Sequence, residues 1–375
     1  MKKSYNKKVI PLFKVFMSPT VMAPLKKTLL GGYITQGPRV AEFEGLLAKR
    51  LGTPHVLTLN SGTTALFLAM QLAGVGPGDE VITPALTCTA TNWPILARGG
   101  VPVWADADPA TATIDWRGIE ARITKKTKAI VVVHWGGYPC DMDEIMKIAR
   151  RHKLKVIEDC AHAFGASYRG KPIGTIGDFG IFSLQAIKHL TTVDGGLLIT
   201  KSKADYRRGK LLRWYGIDRE ARNKNKADFR IENDIPEWGY KFHMNDVNAT
   251  IGIEQLKFVD GILEKQRANA LYFRKKLANT PGVTLLDEQP DRQSSYWLFT
   301  IKVAHRDRFM RAMHSAGIVV SQVHRRNDVH SCVSRFQRAL PQLDKLSQEI
   351  ICIPVGWWLT LKDRDHIIKT IKRGW

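Results

Sequence analysis

The sequence contains no Cys-x-x-Cys pair, and its five cysteines (Cys88, Cys140, Cys160, Cys332 and Cys352) are odd in number and widely scattered. That distribution argues against a disulfide framework and a zinc site, and points to a reducing, cytoplasmic setting. No stretch reaches the roughly 18 consecutive apolar residues of a membrane span. The first 27 residues carry seven lysines and no acid, but Lys14, Pro11 and Pro19 interrupt their apolar part, so no signal-peptide core is expected. Internal repeats and low-complexity segments are lacking too. Acids are scarce: 35 stand against 57 lysines and arginines, a formal charge of +22.

A charge of that size invites nucleic acid, an anionic surface or a multiply anionic small substrate as partner. The bases gather in the N-terminal segment and in residues 201–230, which hold eleven bases and four acids. No zinc-finger spacing or RNA-recognition aromatic signature accompanies them, so a solvated face is the plain reading and nucleic acid is not expected. Within this segment Arg219, Arg222 and Arg230 are candidates to hold the diphosphate of a nucleotide-linked substrate.

A chain of 375 residues, 44% hydrophobic, can bury a large core and suggests two domains. Short apolar runs recur between residues 55 and 200: "HVLTLN", "EVITP", "VPVWADA", "AIVVVHW", "KVIEDC", "FGIFSL" and "GLLIT". Continuous rather than alternating apolar character predicts a mostly parallel, seven-stranded sheet covered by helices on both faces. "DMDEIMKIARRH" predicts a helix capped by Asp141, with Glu144 in capping-box position. From Asp246 a helical pattern of more than 30 residues leads to a smaller α+β unit, with "SSYWLFTIKV" and "IVVSQV" as strands and "RDRFMRAMHSAG" and "RDHIIKTIKRGW" as helices. The predicted division is 1–250 and 251–375.

Three short motifs carry chemistry. In "LNSGTTALFLAM" a strand gives way to a helix at Ser61, Gly62 and Thr63, where backbone amides, hydroxyls and a glycine can cradle a phosphate or simply cap the helix. In "KVIEDCAHAFGA" Asp159 stands at the carboxyl end of an apolar strand, where open α/β sheets place their ligands, or caps the next turn. In "FSLQAIKHLTTVDGG" Lys188 sits among small and apolar residues, either a Schiff-base lysine in a desolvated pocket or an ordinary solvent-reaching one. Together a cradle, a strand-end carboxylate and a pocket lysine are the groups that hold pyridoxal phosphate.

With these stretches in the order "GGYITQGPRVAEFEGLLAKRLG", "LNSGTTALFLAM", "GPGDEVITPALTCTAT", "GGVPVWADAD", "VIEDCAHAFGA", "GDFGIFSLQAIKHLTTVDGG" and "GYKFHMNDVNATIGIEQL", nearly the whole chain resembles the DegT/StrS sugar aminotransferases among the fold-type I pyridoxal phosphate enzymes. The resemblance implies an α/β large domain with a small C-terminal domain, and a homodimer with composite sites. It implies Lys188 as the Schiff-base lysine, Asp159 as the pyridinium partner, Gly62, Thr63 and Ser183 as phosphate ligands, and His162 near the cofactor ring. His189 reads as structural.

The implied reaction moves an amino group from glutamate or glutamine to a keto sugar, nucleotide-linked in the family pattern, by way of the pyridoxal and pyridoxamine forms of the cofactor. A pyridoxamine-dependent dehydratase of keto-deoxysugars is the alternative in the same fold, and there a histidine would replace Lys188; a basic nucleic-acid-binding regulator is the alternative from another class. Three positions depart from the family pattern. Cys88 stands where an aromatic often stacks on the cofactor, with Trp93 as a substitute stacker. Lys241 stands where Asn is frequent and would reach the phosphate of the neighbouring subunit. Val193 and Asp194 replace a Gly-Glu pair, with no interpretation from sequence.

Overall fold

The computed structural model describes residues 9–219 and 234–375. Its centre is the expected seven-stranded sheet: β1 Val56–Leu59, β2 Glu80–Pro84, β3 Val101–Ala105, β4 Thr127–Val133, β5 Lys155–Asp159, β6 Phe179–Ser183 and β7 Gly196–Thr200, in the order β1-β7-β6-β5-β4-β2-β3. Only β7 runs against its neighbours, so the other six strands end at one edge. Alternate residues of β4 serve opposite faces: Ile130 and Val132 join a core with Phe43, Leu47 and Ile145, whereas Ala129 and Val131 join one with Leu66, Leu68 and Phe179. Burial on both faces explains the unbroken apolar runs, since each buried aliphatic side chain contributes about 1.5–3 kcal/mol.

A further core lies in the C-terminal part. Ala270, Phe273 and Leu277 pack with Phe299, Ile301, Phe309, Ile351 and Ile367, around a three-stranded antiparallel sheet of β8 Val283–Leu285, β9 Phe299–Val303 and β10 Ile350–Ile353. The segment "IVVSQV" is not one of its strands; it makes only isolated bridges, Ile318 to Ile10 and Ser321 to Cys352. The third strand is instead the short run Ile350–Ile353, which pairs directly with β9.

Two other local expectations are corrected. The long helical pattern from Asp246 is two helices, Asp246–Leu256 and Val259–Leu277. The first is buried on almost every side, the second keeps an exposed polar face, and Phe258 at the join packs its ring 5.5 Å from Phe16. Asp141 precedes the helix Met142–His152 but makes no side-chain cap, because its carboxylate pairs with the buried Arg292 at 2.8 Å. A working capping box does occur at the last helix, Leu361–Lys372, between Thr360 and Asp363.

The arm from Val9 onward joins the C-terminal core to the part of the chain that carries the seven-stranded sheet. Ile10 pairs with Ile318, Trp358 donates to the Pro11 carbonyl at 3.3 Å, and Gln255 donates to that of Phe16 at 2.7 Å. Among the described residues, no helix is long and apolar enough to cross a membrane.

Candidate active site

The candidate residues meet at the carboxyl edge of the sheet, where open α/β folds bind ligands. β1 ends at Leu59, and Ser61 caps the helix Gly62–Leu72 by accepting the Thr64 amide at 3.1 Å. The Ser-Gly-Thr turn is therefore an N-cap, and it also presents the helix's first amides at Gly62 and Thr63, which have no acceptor within the helix. Ser183, at the end of β6, lies against this turn; a Cβ on Gly62 would come within 3.1 Å of the Ser183 Cβ. Gly196 of β7 is as constrained, since a Cβ there would stand 2.1 Å from the Ser61 carbonyl oxygen. This contact accounts for the second glycine of "VDGG".

Asp159 ends β5 and is buried. Its Oδ1 accepts the Ala161 amide at 3.0 Å and its Oδ2 accepts the Thr91 hydroxyl at 2.7 Å, so it closes a turn and also holds a fixed orientation. Burial raises its pKa, against the opposing pull of the Ala161 amide, the Thr91 hydroxyl and the positive charge of Lys188. Next to it Glu158, wholly buried, accepts the amides of Gly174, Ile176 and Gly177 and faces His134 Nε2 at 3.2 Å. His134 Nδ1 accepts the Cys140 amide, so Nε2 carries the proton given to Glu158.

Lys188 follows a turn closed by its own amide on the Gln185 carbonyl at 3.0 Å. Its amine is pulled down to about 7 by burial, with Asp159 and then Cys88 opposing. An amine so placed is partly neutral at physiological pH and can act as nucleophile, base and acid. The Nζ lies 3.5 Å from the ring centroid of Trp297, whose indole N–H donates to the Ile187 carbonyl at 3.0 Å. His189 donates from Nε2 to the Ser295 carbonyl at 3.0 Å, which fits its structural reading.

His162 is buried and stacks on Trp297 at 4.0 Å and on His324 at 5.5 Å, with Trp135 edge-on to both imidazoles. Burial holds His162 well below the usual imidazole range and His324 at about 4, and the nearby Lys188 charge acts in the same direction. Among the described residues, the buried His162 Nδ1 and His324 Nε2 find no hydrogen-bond partner. Sequence reading missed Thr91, Trp297 and His324: Thr91 closes the stretch "GPGDEVITPALTCTAT" and Trp297 lies in the run "SSYWLFTIKV", but no local pattern marks any of the three for the site, and each arrives through a contact distant in the chain.

The remaining candidates are placed as follows. Cys88 is half-buried at the start of the helix Thr89–Ala97, and Trp93 in that helix packs edge-on against His330 at 5.9 Å. Lys241 is exposed, and its carbonyl accepts Asn60 Nδ2 at 3.3 Å beside the Ser61 turn of the same chain. Val193 is exposed in a left-handed conformation, φ +74°, which explains why glycine suits this position. Asn248 Nδ2 donates to the carbonyls of Thr192 and Asp194 on either side of it. Arg219 grips Gln36 by its side-chain and backbone oxygens, at 2.8 and 3.0 Å, and lies over Trp214. Arg222 and Arg230 lie outside the described residues.

The donor set fits pyridoxal phosphate. A glycine-tight helix start beside a serine suits the phosphate, a buried carboxylate suits a protonated ring nitrogen, and a desolvated lysine suits the aldehyde. The unpartnered Nδ1 of buried His162 is a polar atom left for such a ligand.

A family model described as the DegT/DnrJ/EryC1/StrS aminotransferase family matches residues 17–372. The crystal structure of AtS13 from Actinomadura melliaura is 46% identical with a TM-score of 0.94, over 99% of this chain and 100% of that one. The sugar aminotransferase CalS13 from Micromonospora echinospora is 43% identical with a TM-score of 0.93, over 98% and 100%. A UDP-4-amino-4-deoxy-L-arabinose–oxoglutarate aminotransferase of Shewanella sediminis is 30% identical over 96% of this chain and 97% of its own.

Proposed function

The chain belongs to the DegT/DnrJ/EryC1/StrS aminotransferase family, whose members use pyridoxal phosphate, and from that premise we propose that it makes an amino sugar by moving an amino group from glutamate or glutamine to a nucleotide-linked keto sugar. The observation that carries this reading is the desolvated Lys188 amine, close enough to Asp159 for each charge to shift the other's titration.

When bound, pyridoxal phosphate supplies an electron sink that makes the proton on the donor's α carbon labile. Gly62, Thr63 and Ser183 would hold its phosphate, Asp159 the proton on its ring nitrogen, and His162 one side of its ring. Lys188 would hold the aldehyde at rest. Once released, its Nζ would take the proton from the donor's α carbon and pass it to the cofactor carbon that had carried the aldehyde; in the second half-reaction it would take that proton back and deliver it to the sugar carbon that receives the amine. A titration near neutrality suits both tasks.

The same proposal includes a homodimer in the cytoplasm. Met22, Leu29 and Leu30 on the helix Met22–Leu30, with Tyr33 and Ile34 after it, expose half or more of their surface, an apolar patch suited to a second copy. The exposed Lys241 would then reach the phosphate of the neighbouring site as a point charge. Arg219 would help hold the diphosphate of the sugar nucleotide.

The test is spectroscopic. Protein loaded with pyridoxal phosphate is reduced with borohydride and digested; the cofactor should be found on the peptide containing Lys188. Glutamate should convert the spectrum to the pyridoxamine form, and one of a panel of nucleotide-linked keto sugars should restore it. Attachment at another lysine would remove Lys188 from its role, and failure of every keto sugar would overturn the substrate class.

A further inference from the structure

Residues 295–297 grip the lysine turn at three points. Trp297 donates its indole N–H to the Ile187 carbonyl at 3.0 Å, the Ser295 carbonyl accepts His189 Nε2 at 3.0 Å, and the Lys188 amine lies over the Trp297 ring at 3.5 Å. The grip is itself braced. Ser295 N–H donates to the Gly137 carbonyl and Leu298 N–H to that of Gly136, both at 3.1 Å, and Phe13 of the N-terminal arm stacks on Trp297 at 5.0 Å. Trp297 is buried, so the contact is sheltered from water, where the negative face of an indole attracts an ammonium most strongly.

We propose that Trp297 is a positioning residue for Lys188: it fixes the backbone on one side of the lysine and offers a face on which the amine rests whenever it is not bonded to another group. This rests on the assignment of Lys188 as the reacting lysine. In an aminotransferase that amine is set free in each half-reaction, and a flexible four-carbon side chain would otherwise have to be brought back into line each time. The indole face also favours the protonated amine, opposing the desolvation that pulls Lys188 down to about 7. The titratable groups facing this amine are Asp159, Cys88, His162, His189 and His324; the three imidazoles are held toward their neutral forms, which leaves Asp159, then Cys88, and the indole face to balance its charge.

The test replaces Trp297 site-specifically by mono-, di- and trifluorinated tryptophan in the full-length protein, weakening the ring's negative face at nearly constant size. Lys188 is titrated by pulses of acetic anhydride, read by mass spectrometry of its peptide, in both the pyridoxamine form and the cofactor-free protein. The acylation midpoint should fall stepwise with fluorination, by about half a pH unit or more across the series. Trp297→Phe, which keeps a face but loses the N–H, should also lower the midpoint and slow cofactor attachment. A midpoint unmoved across the fluorinated series overturns the proposal. Borohydride trapping on the same samples keeps the two readings apart: cofactor attached to another lysine would overturn the role of Lys188, while the midpoint series still decides whether Trp297 holds its amine.

Discussion

Thr91 gives its hydroxyl proton to Oδ2 of Asp159 across 2.7 Å, and Thr87 Oγ1 stands 2.7 Å behind Thr91, so two threonines of one segment form a relay onto the buried carboxylate. With the Thr91 proton committed to Asp159, Thr87 is the donor of the second bond.

The first prediction concerns that relay. Burial raises the pKa of Asp159 and the Thr91 hydroxyl opposes it, so Thr91→Val should raise it further. The acid limb of the pH–rate profile should move to higher pH, and kcat/KM at neutral pH should fall on the order of tenfold, the scale of a lost hydrogen bond to a charged group. An unmoved acid limb would detach Asp159 from the titration that governs the rate.

The second concerns stability and pH. The Lys188 amine is lowered from its ordinary 10.5 to about 7 by burial, so between these values the unfolded chain binds a proton that the native protein does not. Stability from this group is therefore full above about 10.5 and is lost as pH falls through about 7. Cofactor-free wild type should gain on Lys188→Met in urea midpoint between pH 7 and pH 9. Parallel curves would show that the amine is solvated.

A third follows from Val193. A β-branched residue at φ +74° is strained, and about half of its surface is exposed, so little packing is lost on removing it. Val193→Gly should stabilise the protein by about 1 kcal/mol, the strain relieved less the entropy that glycine adds to the unfolded chain. Denaturant unfolding measures it, and a loss of stability would mean that the valine side chain makes a compensating contact.

The fourth concerns Asp246, which is buried and accepts the amides of Gly37, Arg39 and Val40 at 2.8, 3.1 and 3.0 Å. It caps the helix Pro38–Leu51 from a distant segment, where Gly37 has no side chain to do so. Asp246→Ala should cost about 3 kcal/mol or more by leaving those amides without an acceptor at a positive helix end. A cost below about 0.5 kcal/mol in urea unfolding would show that the cap is dispensable.

What the sequence determined by itself was the local grammar. Seven apolar runs marked seven strands because both faces of each are buried, and the Ser-Gly-Thr turn, Asp159 and Lys188 stood out because each sits at a strand end or in a turn readable from adjacent residues. Tertiary structure decided which groups meet. Thr91 and Asp159 are 68 residues apart, Ile187 and Trp297 110, and Gly37 and Asp246 209. It also decided against local expectation at Asp141, whose spacing to Glu144 predicted a capping box and whose carboxylate turns to Arg292 instead, and at Lys257–Phe258, where one helical pattern became two helices. The physical reason is the same in each case. Periodicity and capping patterns reach about one helical turn along the chain, whereas a buried donor, charge or ring must be satisfied by whatever the fold brings within 3 to 4 Å.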